Sequence, residues 1–366
     1  MQKLREHIEE RWSSQMPFVA YHLPNATDVR CFFPKDSELR YLQRYDEAGF
    51  IFSSFEPSSQ PIVFPEVTSK ILKFKLIDYE VESKSKFRIT ENLNEKEGYL
   101  KLLADAIDTI KADELRKIVV SRKISAEYDL QNPAQLLLEL IQFYPEAFTY
   151  VWFHPDVGLW AGASPEFLAK TYRTQFKTMA LAGTKRAGED RDWTEKELDE
   201  QQIVTDEIVN GLKKHSKTLE VSERKTDKAG GLLHLRTDIT ATLESAKLGD
   251  ILKELHPTPA VCGLPKEKAY KYLQANENYD RRFYTGYFGE LNMPHHNQRS
   301  NRTRNQENQA YKSIVRASNL YVNLRCMNYE DGKINIYVGG GITKDSIPEE
   351  EWTETVNKSR TMLKVL

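Results

Sequence analysis

The sequence predicts an α+β protein in which large, mostly antiparallel sheets are flanked by helices. Three observations carry that prediction. Runs of β-branched and aromatic residues, such as KIVVSRKI (117–124), FTYVWF (148–153) and VGLWAGA (157–163), recur along the chain. Some of them join as hairpins, most clearly at Asp331-Gly332, a dipeptide suited to a turn whose central residues both need positive φ. Helical stretches lie between the strands without the strict alternation of βαβ units. At 366 residues the chain exceeds the usual single-core size. Either two domains or one large two-lobed domain is expected at that length, no linker decides between them, and residues 94–366 hold the candidate chemistry.

Composition excludes several function classes. Apolar content of 40% and charged content of 29% describe an ordinary globular protein. A net charge of −2 gives no support for a nucleic-acid or membrane-surface role. Cys31, Cys262 and Cys326 are widely spaced and form no CxxC pair, which fits a reducing compartment and neither a zinc site nor a disulfide framework. The start, MQKLREHIEERW, has no apolar core, and no run approaches membrane-spanning length. A cytoplasmic location follows as the expectation.

Residues 1–93 offer a short helix and the strand candidates RCFFP (30–34) and GFIFSSF (49–55), but no chemistry. Asn94-x-x-Glu97 reads as the cap of a helix whose Leu100, Leu103, Ile107 and Ile110 recur on one face. In the strand that follows, alternation puts Lys117, Val119 and Ser121 on one face and Ile118, Val120 and Arg122 on the other. A lysine on such a strand loses hydration, which favours the neutral amine and lets it act as a base. From this segment alone the simpler reading is a strand-edge lysine with its amine in water. Asn132-Pro133 opens a helix carrying LLLELI.

Glu166 follows Ser164-Pro165, where proline fixes a bend and so the direction of the carboxylate; the plainer alternative is a turn cap. In FKTMALAGT (176–184), Ala182 and Gly183 leave room for a ligand and Thr184 adds a hydroxyl, although a strand ending in a tight turn explains them equally. Thr194-x-x-Glu197 is a capping box opening a helix over 194–215. On that helix Glu200, Val204, Ile208 and Leu212 form one i+4 row, which brings a carboxylate into line with the core stripe. That placement is costly unless the charge is paired or bound to a cation. The polar segment HHNQRSNRTRNQENQ (295–309) reads as an exposed loop; it lacks the interleaved aromatics of a nucleic-acid stacking platform.

A strand over 318–330 then turns at Asp331-Gly332 into KINIYVGGGI (333–342), whose glycines offer bare backbone to a ligand. Ser346-Ile-Pro-Glu349 reads as the capping box of the last helix, which carries Glu351, Glu354 and Lys358 on one face. Two helices that each point a carboxylate inward would make a hard-oxygen site suited to Mg²⁺.

Several motifs stand in one order: KIVVSR (117–122), GASPEFL (162–168), LAGT (181–184), Glu200 ahead of IVTDEI (203–208), HL (234–235), HPTPAVCGLP (256–265), DRRFYTG (280–286), NLRC (323–326), GGGI (339–342) and EWTETVNK (351–358). As an ordered set they resemble the chorismate-utilising family, which comprises isochorismate synthases, salicylate synthases, anthranilate synthase component I and aminodeoxychorismate synthase component I. The resemblance implies one α/β two-lobed domain of anthranilate synthase component I-like fold, with residues 1–93 as its N-terminal part and a Mg²⁺-dependent site in the cleft between the lobes. It matches Lys117 to the base that activates water for attack at C2 of chorismate, and Glu166 to the acid that protonates the departing C4 hydroxyl. Glu200 and Glu354 match metal-binding glutamates, with Glu351 behind them. Arg325 and Lys358 match positions near the substrate carboxylates, and His234 a polar residue close to the reacting ring. Gly183, Gly339 and Gly341 match backbone that lines the ligand; Thr184, Ala260 and Tyr284 complete the substrate-binding set.

The resemblance also bears on the nucleophile. Anthranilate synthases lack a lysine at the position of Lys117, and aminodeoxychorismate synthases carry a nucleophilic lysine where this chain has Ala182. Water is therefore the expected nucleophile, chorismate the substrate and isochorismate the product. Salicylate synthase, which also eliminates pyruvate, stays as the alternative, and a catalytically idle chorismate-binding homologue as a third. A monomer without a glutaminase subunit is expected.

Overall fold

The computed structural model describes residues 1–76, 87, 89, 93–244, 247–296 and 314–366. The first part contains α1 (Gln2–Ser13), β1 (Phe18–His22), β2 (Asp28–Pro34), β3 (Gly49–Ser53), β4 (Ile62–Pro65) and β5 (Ser69–Lys75). Then follow α2 (Leu93–Lys111), β6 (Lys117–Glu127), α3 (Pro133–Phe143), β7 (Phe148–His154), β8 (Gly158–Ser164), β9 (Phe167–Tyr172) and β10 (Gln175–Arg186). Next come α4 (Glu195–Lys213), β11 (Ser216–Val221), β12 (Lys225–Ala229), β13 (Leu232–Leu243), α5 (Leu248–Leu255), β14 (Gly263–Leu264) and α6 (Lys266–Asn276). The chain closes with β15 (Tyr287–His296), β16 (Ile314–Val322), β17 (Cys326–Glu330), β18 (Lys333–Ile342) and α7 (Pro348–Leu363).

These strands make two sheets, antiparallel throughout their recorded pairings. The first runs β14-β6-β18-β17-β8-β7-β1-β2-β5, and the second β11-β13-β10-β9-β16-β15-β3-β4 with β12 beside β13. Residues before 77 therefore supply strands to both. The sheets face each other across an aromatic core, because alternation sends Tyr21, Phe52, Phe148, Tyr150, Trp152, Phe288 and Tyr321 to the shared side. Phe52 and Trp152 stack at 4.8 Å, and Trp160 stacks on Tyr337 at 5.2 Å. The outward residues of the first sheet pack under α1 and α3, and those of the second under α4 and α5. The result is helix, sheet, sheet, helix: the α+β class predicted from the sequence. The three cysteines are free and buried. No described helix is long and apolar enough to cross a membrane.

Several local expectations give way. The stretch 318–330 is two strands, not one: β16 ends at Val322 in the second sheet, and β17 starts at Cys326 in the first. Between them Arg325 takes a positive φ of 49°. The strand at 176–184 does not end in a turn; β10 continues to Arg186 through a bulge between Ala182 and Lys185. Asn94 lies inside the first turn of α2, which begins at Leu93. The cap of α7 is Ile347, not Ser346, whose hydroxyl accepts from the Thr343 amide at 3.1 Å; Pro348 does occupy the first turn. From residue 297 onward the polar loop falls outside the described residues.

Two of the chain's crossings between the sheets lie side by side. β8 lies in the first sheet and β9 in the second, so Ser164-Pro165-Glu166 is one crossover and Asn323-Leu324-Arg325 the other. They are laced together: Ser164 Oγ donates to Val322 O at 2.6 Å, the Val322 amide to Glu166 O at 3.0 Å, and the Ala163 amide to Arg325 O at 3.0 Å.

Candidate active site

One cleft between the sheets gathers Glu166, Gly183, Thr184, Glu200, His234, Ala260, Tyr284, Arg325, Gly339, Gly341, Glu354 and Lys358. Lys117 reaches the same place from β6, its Nζ 3.0 Å from Glu200 Oε1. The catalytic, substrate-binding and metal candidates singled out in the sequence thus converge there, while Glu351 lines the neighbouring opening.

The floor is the β6–β18 ladder. Alternation turns Lys117, Val119 and Ser121 toward the cleft while Ile118 and Val120 pack beneath α2. Gly339, Gly340 and Gly341 run opposite Ser121, Val120 and Val119. The bare backbone leaves room for the cleft side chains: a Cβ at 341 would lie 2.1 Å from Glu200 Oε1 and 3.0 Å from Lys117 Cε, so Glu200 would have to move. A Cβ at 339 would lie 3.0 Å from the Tyr284 hydroxyl. The edge of the floor is held by a buried ion pair in the 277–281 segment. Arg281 donates to Val119 O at 2.6 Å, to Val261 O at 2.9 Å and to Glu277, while Glu277 accepts from the Ser121 amide at 2.8 Å and its hydroxyl at 2.7 Å. This pair fixes the base strand against the Ala260 loop. Sequence reading missed it: its i,i+4 spacing is the visible signal, but the residues lie beyond the end of a helix.

Glu166 is 3% exposed. Burial pushes its carboxyl up to about 8, against a downward pull from Lys117, so it carries a proton at neutral pH. On the opposite wall, the bulge in β10 puts Gly183 at a φ of +71° and brings its carbonyl within 2.8 Å of His234 Nδ1. Arg325 Nη2 lies 3.2 Å from His234 Nε2. A guanidinium can only donate, so Nε2 is the accepting nitrogen and Nδ1 carries the hydrogen. Burial, and next the Arg325 charge, push this imidazole down to about 3 and keep it neutral. Among the described residues Arg325 has no carboxylate within 4.0 Å, which leaves its guanidinium available to an anionic ligand. Lys358 Nζ donates to Gly339 O at 2.8 Å and pairs with Glu354 at 2.5 Å.

The acidic groups come from two helices on opposite sheets. Glu200 heads the buried row Val204, Ile208 and Leu212 on α4, whose capping box at Thr194 and Glu197 forms as predicted. Glu351 and Glu354 come from α7. Their oxygens border the glycine run, Glu200 beside Gly341 and both α7 carboxylates within 3.7 Å of a Cβ built at Gly340. Each has a lysine partner: Lys117 for Glu200, Lys358 for Glu354, and Lys196 for Glu351. Burial and then the Glu354 charge push Glu351 up to about 7; burial works against Glu354 too, but Lys358 and Lys196 hold it below its ordinary value. Lys196, which ties α4 to α7 through Glu351, was likewise missed by sequence reading.

Among the described residues no three acidic, imidazole or thiol groups form a ready-made cage. Glu200 and Glu354 bring carboxylate oxygens to the glycine run, the kind of hard ligand that Mg²⁺ takes together with waters and ligand oxygens.

Residues 62–298 match a family described as chorismate binding enzyme, and residues 311–364 match a second family of the same description. The isochorismate synthase MenF of Escherichia coli (strain K12) is 27% identical over 285 residues, covering 74% of this chain and 61% of that protein. The isochorismate synthase DhbC of Bacillus subtilis (strain 168) is 29% identical over 296 residues, covering 74% and 68%. The matched part of the chain thus spans 61% of the length of the first relative. The solved structure of Escherichia coli MenF superposes with a TM-score of 0.75 at 20% identity, over 96% of this chain and 88% of that one, a likeness of fold.

Proposed function

This chain belongs to the chorismate-binding enzymes, and from that premise we propose that it is an isochorismate synthase, acting without ammonia or a glutaminase subunit. The observation that carries the reading is that Lys117 and Glu166, both buried, stand at one cleft, where burial pushes the Glu166 carboxyl up to about 8. Water is a poor nucleophile and hydroxide a poor leaving group, so exchange of a ring hydroxyl needs one group to take a proton and another to give one. In its neutral amine form Lys117 takes the proton of the water that adds at C2 of chorismate. Glu166 gives its proton to the C4 hydroxyl, which leaves as water while the ring double bonds shift; the reverse reaction exchanges the roles. Ala182 leaves no amine at the LAGT segment to compete as nucleophile.

Arg325 binds a substrate carboxylate through its free guanidinium face, and His234, held neutral, orients that guanidinium through Nε2. Lys358 and the amides beside Gly339 and Gly341 line the rest. Glu200 and Glu354 would hold Mg²⁺, which supplies positive charge for the ring carboxylate when bound. The test is product analysis: purified protein, chorismate and Mg²⁺, separated chromatographically. Isochorismate formed reversibly and without ammonium supports the reading. Salicylate with pyruvate as the main products moves the chain to the neighbouring class, and unchanged chorismate refutes the reading.

A further inference from the structure

A chamber of about 620 Å³ adjoins the reaction cleft and shares Pro165, Leu181, His234 and Arg325 with it, so the His234–Arg325 pair is the wall common to both. Its lining carries four cations, Lys170, Lys228, Arg236 and Arg325, against two carboxylates, Glu146 and Asp227. The opening on the metal side, which shares Thr184 and Glu354 with the cleft, has four cations against six carboxylates. The two openings therefore differ in sign, and the chamber is the one that favours an anion.

Within the chamber Arg236 is already committed, to Asp227 at 2.6 Å and Asp238 at 2.7 Å. Lys170 is not. Among the described residues no carboxylate lies within 4.0 Å of it; its Nζ sits 4.4 Å from the Phe167 ring centroid and 5.1 Å from that of Tyr321. Lys177 is its cross-strand neighbour, and Arg236 is close enough to repel it. Burial first, and then those two like charges, lower the Lys170 pKa, as happens to a cation whose charge is under-compensated. The exposed Lys228, the half-buried Lys170 and then Arg325 at the wall of the cleft make a graded series.

We propose that Lys170, set over Phe167 and Tyr321, is an outer carboxylate-binding subsite that the dianionic substrate occupies before it reaches Arg325. The inference rests on the isochorismate synthase reading, since the ligand is chorismate itself. Lys170 neither touches the reacting atoms nor holds the bound substrate; it raises the rate at which substrate arrives.

The experiment measures chorismate association by stopped-flow fluorescence, and kcat in parallel, for wild type, Lys170→Met and Lys170→Arg over a range of salt. The expected result for Lys170→Met is an association rate about three- to tenfold lower at low ionic strength. The difference should fade at about 0.5 M salt, where screening is nearly complete. Unchanged kcat and recovery in Lys170→Arg complete the expectation. A purely structural lysine would alter stability or kcat and leave the salt slope alone. Wild type that turns over while Lys170→Met matches it in association rate and salt slope overturns the subsite only. Wild type that leaves chorismate unchanged overturns the functional reading and the subsite with it.

Discussion

Burial favours the acid form of Glu166 at neutral pH, and that sets much of the expected pH behaviour. Burial raises it from 4.5 to about 8, so turnover that needs its proton should decline as pH rises through about 8. The same shift acts on stability. The folded value lies above the unfolded one, so the contribution is fully present below about 4.5 and is lost as pH rises through about 8. Glu166→Gln keeps the shape and cannot ionise. Its melting temperature relative to wild type should therefore rise between pH 6 and pH 9; an offset that stays constant would show that Glu166 is not a buried acid. In activity, Glu166→Gln and Lys117→Ala should each lose on the order of a hundred- to ten-thousand-fold in kcat, with much smaller changes in KM. A Lys117→Ala enzyme within about tenfold of wild type would exclude Lys117 as the base.

Elements decide where those residues stand. Gly341→Ala puts a methyl where Glu200 Oε1 lies, and Glu200 is a flexible side chain that can move aside. The variant should fold with nearly wild-type stability yet lose most activity; normal turnover would mean that Glu200 has no fixed position to keep. Glu277→Gln leaves Arg281 buried without its counter-charge, which costs roughly 3–5 kcal/mol. Denaturant unfolding should read a loss of that size. The floor strand was legible because alternation in KIVVSR and the glycine run in GGGI are local patterns with one geometric reading each. The crossover at 323–325 was not. Its apolar alternation continues from SNLYV into RCMNY with no Gly or Pro to mark the break, and only the left-handed Arg325 signals the change of sheet. The first crossover was half legible, since Pro165 announces a bend but not the change of sheet. The bulge at Gly183 and the Glu277–Arg281 brace depend on partners far away in sequence, which periodicity does not register.

At the scale of the molecule, the cleft is assembled from both sheets. Lys117 and the glycine run belong to the first, Gly183 and His234 to the second, and Glu166 and Arg325 to the crossovers between them. Glu200 and Glu354 come from helices packed on opposite sheets, so a cation shared by them would join the two halves. Mg²⁺ should accordingly raise the melting temperature of the wild-type protein in a concentration-dependent way, and Glu200→Gln or Glu354→Gln should abolish most of that rise. A variant with an undiminished rise would show that its residue is not a ligand. The resemblance read from ten ordered motifs is legible at this scale because the motifs meet in one place, although they are spread over residues 117–358. The central claim is that a water activated by Lys117 adds at C2 while the C4 hydroxyl departs. Turnover of chorismate in ¹⁸O-labelled water, with mass spectrometry of the isochorismate, tests it most directly. The account predicts one ¹⁸O atom, located in the hydroxyl at C2; isochorismate carrying only the original oxygen would contradict it.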